Sequence, residues 1–111
     1  MASLFAQYIL EREGKQIVED EFGFATYLFT PDYCYIEDIF VVSEHRKGGH
    51  AARYADEITN IAKKAGKRKL LGSVSLQAAK PESSMKVLLA YGFRPINTDK
   101  NMIYFEKEIG D

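Results

Sequence analysis

Between residues 33 and 76 the sequence changes character twice, and those changes restrict the folds open to the chain. Tyr33 to Val42 (YCYIEDIFVV) is a strand-like run rich in β-branched and aromatic residues. Ser43 to Gly49 is polar and ends in two glycines. Beyond it Ala51, Tyr54, Ala55, Ile58, Ala62 and Ala65 recur at the spacing of one helical face. Gly66 is a natural helix stop, and Lys63, Lys64 and Lys67 crowd an end where cations complement the helix dipole. Lys69 to Leu76 (KLLGSVSL) then reads as a buried strand. Strand, helix and strand joined in this way form a crossover, which makes the two strands parallel neighbours.

The flanks complete the pattern. Residues 3–13 put Leu4, Phe5, Tyr8 and Ile9 on one helical face, and Gly14 stops that helix. Lys15 to Glu19 is a short strand, and Phe22 to Thr30 (FGFATYLFT) a longer one, turned by Pro31 and Asp32 into the run at Tyr33. Pro81 opens a helix that reaches about Tyr91, just before Gly92. Residues 93–97 and 101–108 read as a final hairpin, with Ile103 and Phe105 facing in and Tyr104 and Glu106 facing the other way. The order predicts one mixed α/β sheet, a single domain over residues 1–111. Such sheets take ligands beyond the carboxyl ends of their parallel strands, here just after Val42 and Leu76.

Composition narrows the partners. Hydrophobic residues make up 46% and charged residues 28%, as in ordinary globular domains. A net charge of −1 gives no electrostatic case for nucleic acid or an anionic membrane. One cysteine, Cys34, makes no internal disulfide. No apolar run approaches the ~20 residues of a membrane span, and no basic segment precedes an apolar core at the N-terminus. The expected compartment is the cytoplasm.

The segment richest in chemistry is HRKGGHAA, residues 45–52, between strand and helix. Its glycines permit a tight turn and close approach of a ligand to the backbone. The first free N–H groups of the helix point at that ligand with the positive end of the dipole behind them. Arg46 and Lys47 add charge, so a pyrophosphate fits. A plain helix N-terminus carrying surface charges fits the same residues. His50 reads as a bystander, with no second metal ligand beside it, and no metal is expected.

Arg46, Gly49 and Ala51 occupy the Arg/Gln-x-x-Gly-x-Gly/Ala positions of the GNAT superfamily of N-acetyltransferases. Tyr35 to Val42 (YIEDIFVV) and Gly23 to Thr30 (GFATYLFT) resemble two successive strands of its diamine (spermidine/spermine) acetyltransferase branch, and Ala90-Tyr91-Gly92-Phe93 resembles the end of its late helix. The resemblance covers about residues 15–108. It implies an acyl-CoA N-acyltransferase fold shortened at the N-terminus, with acetyl-CoA lying in a V-shaped opening between the two parallel strands. Backbone groups of Phe40, Val41 and Val42 would hold the pantetheine arm. Amides of Lys47, Gly48, Gly49, His50 and Ala51, with Arg46, would hold the pyrophosphate, and Ser84 would touch the coenzyme. The implied reaction is direct attack of an amine on the thioester, with Glu37 at the acidic position of the diamine branch and Asp38 facing the opposite side of the strand.

Two departures from the superfamily stand out. Leu88 replaces a common tyrosine four residues before the late glycine, and Pro81 replaces a common asparagine. Tyr91, on another helical face, does not inherit the tyrosine's role. Measured against the superfamily, the first strand and most of the helical pair that wall the acceptor site are expected to be absent, which would leave that side open to a polyamine-like molecule or a protein lysine, and a sheet edge open to a second copy of the chain. The sequence therefore supports an amine acetyltransferase. The alternatives are a weak or inactive acetyl-CoA-binding regulator acting through a protein partner, and a structural module without coenzyme. The basic cluster at 63–69 and the acidic residues Glu11, Glu13, Glu19, Asp20 and Glu21 read as solvated surface.

Overall fold

A computed structural model describes residues 3–110 and places the elements in the expected order. They are α1 (Leu4–Glu13), β1 (Gln16–Asp20), β2 (Gly23–Phe29), β3 (Tyr33–Val41), a 3-10 turn (Ser43–His45), α2 (His50–Lys64), β4 (Lys69–Ser75), α3 (Pro81–Tyr91), β5 (Arg94–Asp99) and β6 (Met102–Glu108). The six strands form one sheet in the order β1-β2-β3-β4-β6-β5. Among the described strands, only the β3–β4 pair is parallel. No described helix is long and apolar enough to cross a membrane.

One face of the sheet carries the core. Tyr54, Ala55, Ile58 and Ala62 of α2 are buried, and most of them join Ala25, Tyr27, Cys34, Ile36, Val41, Leu70, Val74, Phe93 and Phe105 in one cluster. Burial pushes the Cys34 thiol up to about 12, so it behaves as a small apolar side chain. Helix α2 closes as the sequence suggests. Gly66 is left-handed at φ 79°, its N–H donates to Lys63 O, and Lys67 N–H reaches back to Ala62 O, the paired bonds of a Schellman motif. Helix α3 lies beside α2, where the Tyr91 hydroxyl donates to Asp56.

Two expectations change. Of the apolar face of α1 only Ile9 is buried, while Leu4, Phe5 and Tyr8 are exposed, because this helix lies over the β1–β2 edge and walls an open cavity instead of sealing a core. On β6, Phe105 and Glu106 are both buried. Glu106 points away from the core, as expected of its strand position, but Arg94 (2.7 Å) and Lys69 (3.3 Å) cover it. Those partners, Arg94 first, hold its carboxyl below the usual range.

The start of α2 is pinned to the β1–β2 turn by Asp20. Its carboxylate accepts hydrogen bonds from the Tyr54 hydroxyl, Arg53 (2.6 Å) and the Phe22 amide (2.9 Å). The Tyr54 bond is the largest cause holding its pKa far below the ordinary aspartate range. A depressed folded-state pKa stabilises the fold above the unfolded value of about 3.9 and loses that contribution as pH falls below it. Urea midpoints measured between pH 6 and pH 3 should therefore fall less steeply in Asp20→Asn than in the native protein, with the variant already less stable at pH 6. The β2–β3 contact allows a second test. A Cβ at Gly23 would lie 2.0 Å from Phe40 O, a backbone clash, so Gly23→Ala should cost about 2–3 kcal/mol in the same assay.

Candidate active site

The parallel strands pair for only three residues. Tyr33, Cys34 and Tyr35 lie opposite Lys69, Leu70 and Leu71, and beyond that point β3 and β4 share no register. The Tyr35 hydroxyl and Ser73 Oγ, 2.6 Å apart, bridge the strands at the point of parting. Further along, Val42 N–H donates to Phe22 O. Antiparallel alternation then turns the peptide groups of Phe40 and Val42 toward β2 and those of Ile39 and Val41 toward the opening. The free edge is thus Ile39 and Val41, rather than the run Phe40 to Val42 expected from the sequence. Arg46 occupies part of it: its Nε donates to Val41 O at 2.9 Å and its guanidinium lies 5.8 Å from the centre of the Phe40 ring.

The opening leads to the glycine loop. Gly49 takes the left-handed conformation at φ 79° directly before His50, the first residue of α2, a geometry that favours glycine. The first helical bond runs from Arg53 N–H to Gly49 O, so the amides of His50, Ala51 and Ala52 are those that a helix start leaves open. Gly48 differs from expectation, since its N–H already donates to His45 O at 3.2 Å. The His50 ring stacks on Phe22, with centroids 4.3 Å apart, and its Nδ1 lies 2.8 Å from Arg53. Its side chain is a packing group beside the loop. Lys47 and Ser84 are exposed. Leu88 lies against Gly72, where a Cβ would meet its Cδ2 at 3.3 Å, so an apolar contact stands where the resemblance leads one to expect a hydroxyl.

On the other face the β2–β3 register shifts. Thr26 pairs with Asp38 but Tyr27 pairs with Ile36, leaving Glu37 as the extra residue of a β-bulge. The bulge breaks strand alternation and brings Glu37 and Asp38 to the same face, which corrects the expectation that they oppose each other. Asp38 lines a cavity of about 430 Å³ with Thr26, Phe24, Phe40, Ile39 and, from α1 and its exit, Phe5, Tyr8, Ile9, Glu13 and Lys15. Thr26 Oγ1 lies 3.1 Å from Asp38 Oδ2, to which it donates, and accepts from the Asp38 amide at 3.2 Å. Glu37 Oε1 is 2.9 Å from Lys15 Nζ, which also binds Glu13 at 2.7 Å. Nothing in the sequence flagged Lys15, whose role depends on bringing residues 13, 15 and 37 together. Among the described residues, no three His, Cys, Asp or Glu side chains gather as a metal set.

The fold has counterparts among solved structures. A GNAT-family protein from Desulfovibrio desulfuricans superposes with a TM-score of 0.79 at 18% identity, over 93% of this chain and 76% of its own. PaiA N-acetyltransferase from Thermoplasma acidophilum, solved with coenzyme A, gives 0.72 at 18% identity, over 78% of this chain and 53% of its own. An aminoglycoside 6'-N-acetyltransferase, also complexed with coenzyme A, gives 0.73 at 12% identity, over 92% of this chain and 77% of its own. At these identities the likeness is one of fold. No curated protein sequence matches. Residues 4–91 do match the acetyltransferase (GNAT) family. With most of the chain matched and the fold shared, the protein belongs to the GNAT family of acetyltransferases, whose acyl donor is acetyl-CoA.

Proposed function

We propose that the protein transfers the acetyl group of acetyl-CoA to a primary amine, either polyamine-like or a protein lysine, by direct attack on the thioester. The observation that carries this reading is the parting of β3 from β4 after Tyr35 and Leu71, directly before the N-terminus of α2. The peptide groups of Ile39 and Val41 suit an extended pantetheine arm added as a strand. The open amides from His50 to Ala52, with Lys47 beside them, suit the pyrophosphate. Ser84 stands exposed near the start of α3, and the coenzyme A complexes of two structural relatives support a donor site in this fold.

The acceptor lies on the opposite side, against the bulge. An alkyl ammonium of pKa about 10.4 costs roughly 4.6 kcal/mol to neutralise at pH 7, so a carboxylate that takes its proton is the main catalytic need. The resemblance to the diamine branch points to Glu37. The geometry favours its neighbour: Glu37 gives one oxygen to Lys15, whereas Asp38 faces the cavity with a neutral hydroxyl as its side-chain partner. In the reaction the amine nitrogen bonds to the carbonyl carbon, its proton passes to Asp38, and the C–S bond breaks. The departing thiolate, of pKa about 8.5, needs only ~2 kcal/mol of help at pH 7, which water supplies. Leu88 on Gly72 favours a second reading, a coenzyme-binding regulator with little turnover.

Calorimetric titration with acetyl-CoA separates binding from turnover. Saturable binding that disappears in Gly49→Glu is expected, and absence of binding at millimolar coenzyme contradicts both readings. With an accepted amine, Asp38→Asn should lower kcat/KM by about a hundredfold or more and Glu37→Gln by about tenfold. The reverse order returns the base to Glu37. Coenzyme binding with no thiol release for any amine selects the regulator.

A further inference from the structure

The acceptor cavity contains a cation of its own. Lys15 lines it with only 13% of its side chain exposed, and its ammonium joins Glu13 of the α1 terminus to Glu37 of the bulge. Hydrogen bonds to Glu13 and then Glu37 hold its pKa above the usual lysine range, so the charge persists at neutral pH. The cavity and its rim thus bring together three carboxylates and one ammonium, with two of the carboxylates spent on that ammonium. Asp38 has a hydroxyl as its side-chain partner and no cation among the described ion pairs. The remaining wall is apolar. Phe5 meets Phe24 edge-on at 5.5 Å, Phe24 lies 5.7 Å from Phe40, and Ile9 and Ile39 also line the cavity. Two further cations stand at the edge, Arg12 over the Tyr8 ring and Arg46 over the Phe40 ring.

We infer that Lys15 sets the acceptor class: by holding Glu13 and Glu37 it leaves Asp38 to receive the ligand, so the site takes an amine with one positive charge on an apolar arm and turns polycations away. This rests on the acceptor side of the proposed reaction and narrows it. A polyamine spans several charges and needs a carboxylate for each. Its second ammonium would meet Lys15 and the edge arginines, and like charges brought close in a partly desolvated site repel. An aryl or alkyl arm instead covers the three phenylalanines, and its single ammonium pairs with Asp38. A small arylalkylamine and a lysine side chain share this chemistry.

The test is NMR titration of the pure protein, with and without coenzyme A, using 2-phenylethylamine, Nα-acetyl-lysine amide and spermidine. At least one of the two single-charge amines should bind about tenfold more tightly than spermidine and shift the resonances of Phe24 and Asp38. Which of the two does so identifies the source of the arm. Lys15→Gln, which frees Glu13 and Glu37, should bring spermidine level with the better of them or ahead of it, while Lys15→Arg should keep the native order. Spermidine binding as tightly to the native protein overturns the inference, as does an order unchanged in Lys15→Gln, or no amine shifting the cavity resonances. Failure of acetyl-CoA to bind in calorimetry bears on the donor site alone, so the two proposals fail separately.

Discussion

The short parallel pairing of β3 with β4 governs the rest of the molecule. Three registers hold the strands together at their amino ends, and α2 supplies the crossover that a parallel pair requires. Past Tyr35 the β-bulge at Glu37 bends and twists β3, and the two strands part. A sheet interior that parts in this way exposes peptide groups that must find partners. Arg46 answers for Val41 O. The groups that remain form a strand-shaped gap at the mouth of a helix dipole, the place where an extended ligand with a phosphorylated end belongs.

The same bulge joins the two halves of the site. Regular alternation would send one of two adjacent carboxylates into the apolar core beside Ile36 and Val41, at a high desolvation cost. The extra residue instead places both on the α1 face, where Lys15 takes Glu37 and Thr26 takes Asp38. The unpaired edge of β3 and the cavity under α1 therefore share one strand. The core-side anchors are separate: Asp20 fixes the start of α2, and the Schellman motif at Gly66 fixes its end.

Much of this was legible in the sequence. The elements fall within a residue or two of where periodicity, Gly14, Gly66, Pro81 and Gly92 place them, because local signals agree with the global fold. The resemblance led to the right family and to the glycine loop. What escaped has a common physical origin. No glycine or proline marks the bulge, so nothing local says that Glu37 and Asp38 share a face. Whether the apolar side of α1 is sealed depends on what packs against it, which periodicity does not record. Glu106 is buried only because Arg94 and Lys69 arrive from other strands, and Lys15 gains its meaning from Glu37, on a strand that is not its sequence neighbour.

In the proposed coenzyme site, the gap between β3 and β4 holds the ligand through the backbone of Ile39 and Val41. Amide hydrogen exchange resolved by residue, with and without saturating acetyl-CoA, tests it most directly. Exchange at Ile39 and Val41 should slow at least about tenfold on binding, as for amides that gain a hydrogen-bond partner, while Phe40 and Val42, already turned to β2, should change little. Coenzyme binding that leaves Ile39 and Val41 unprotected would contradict the account.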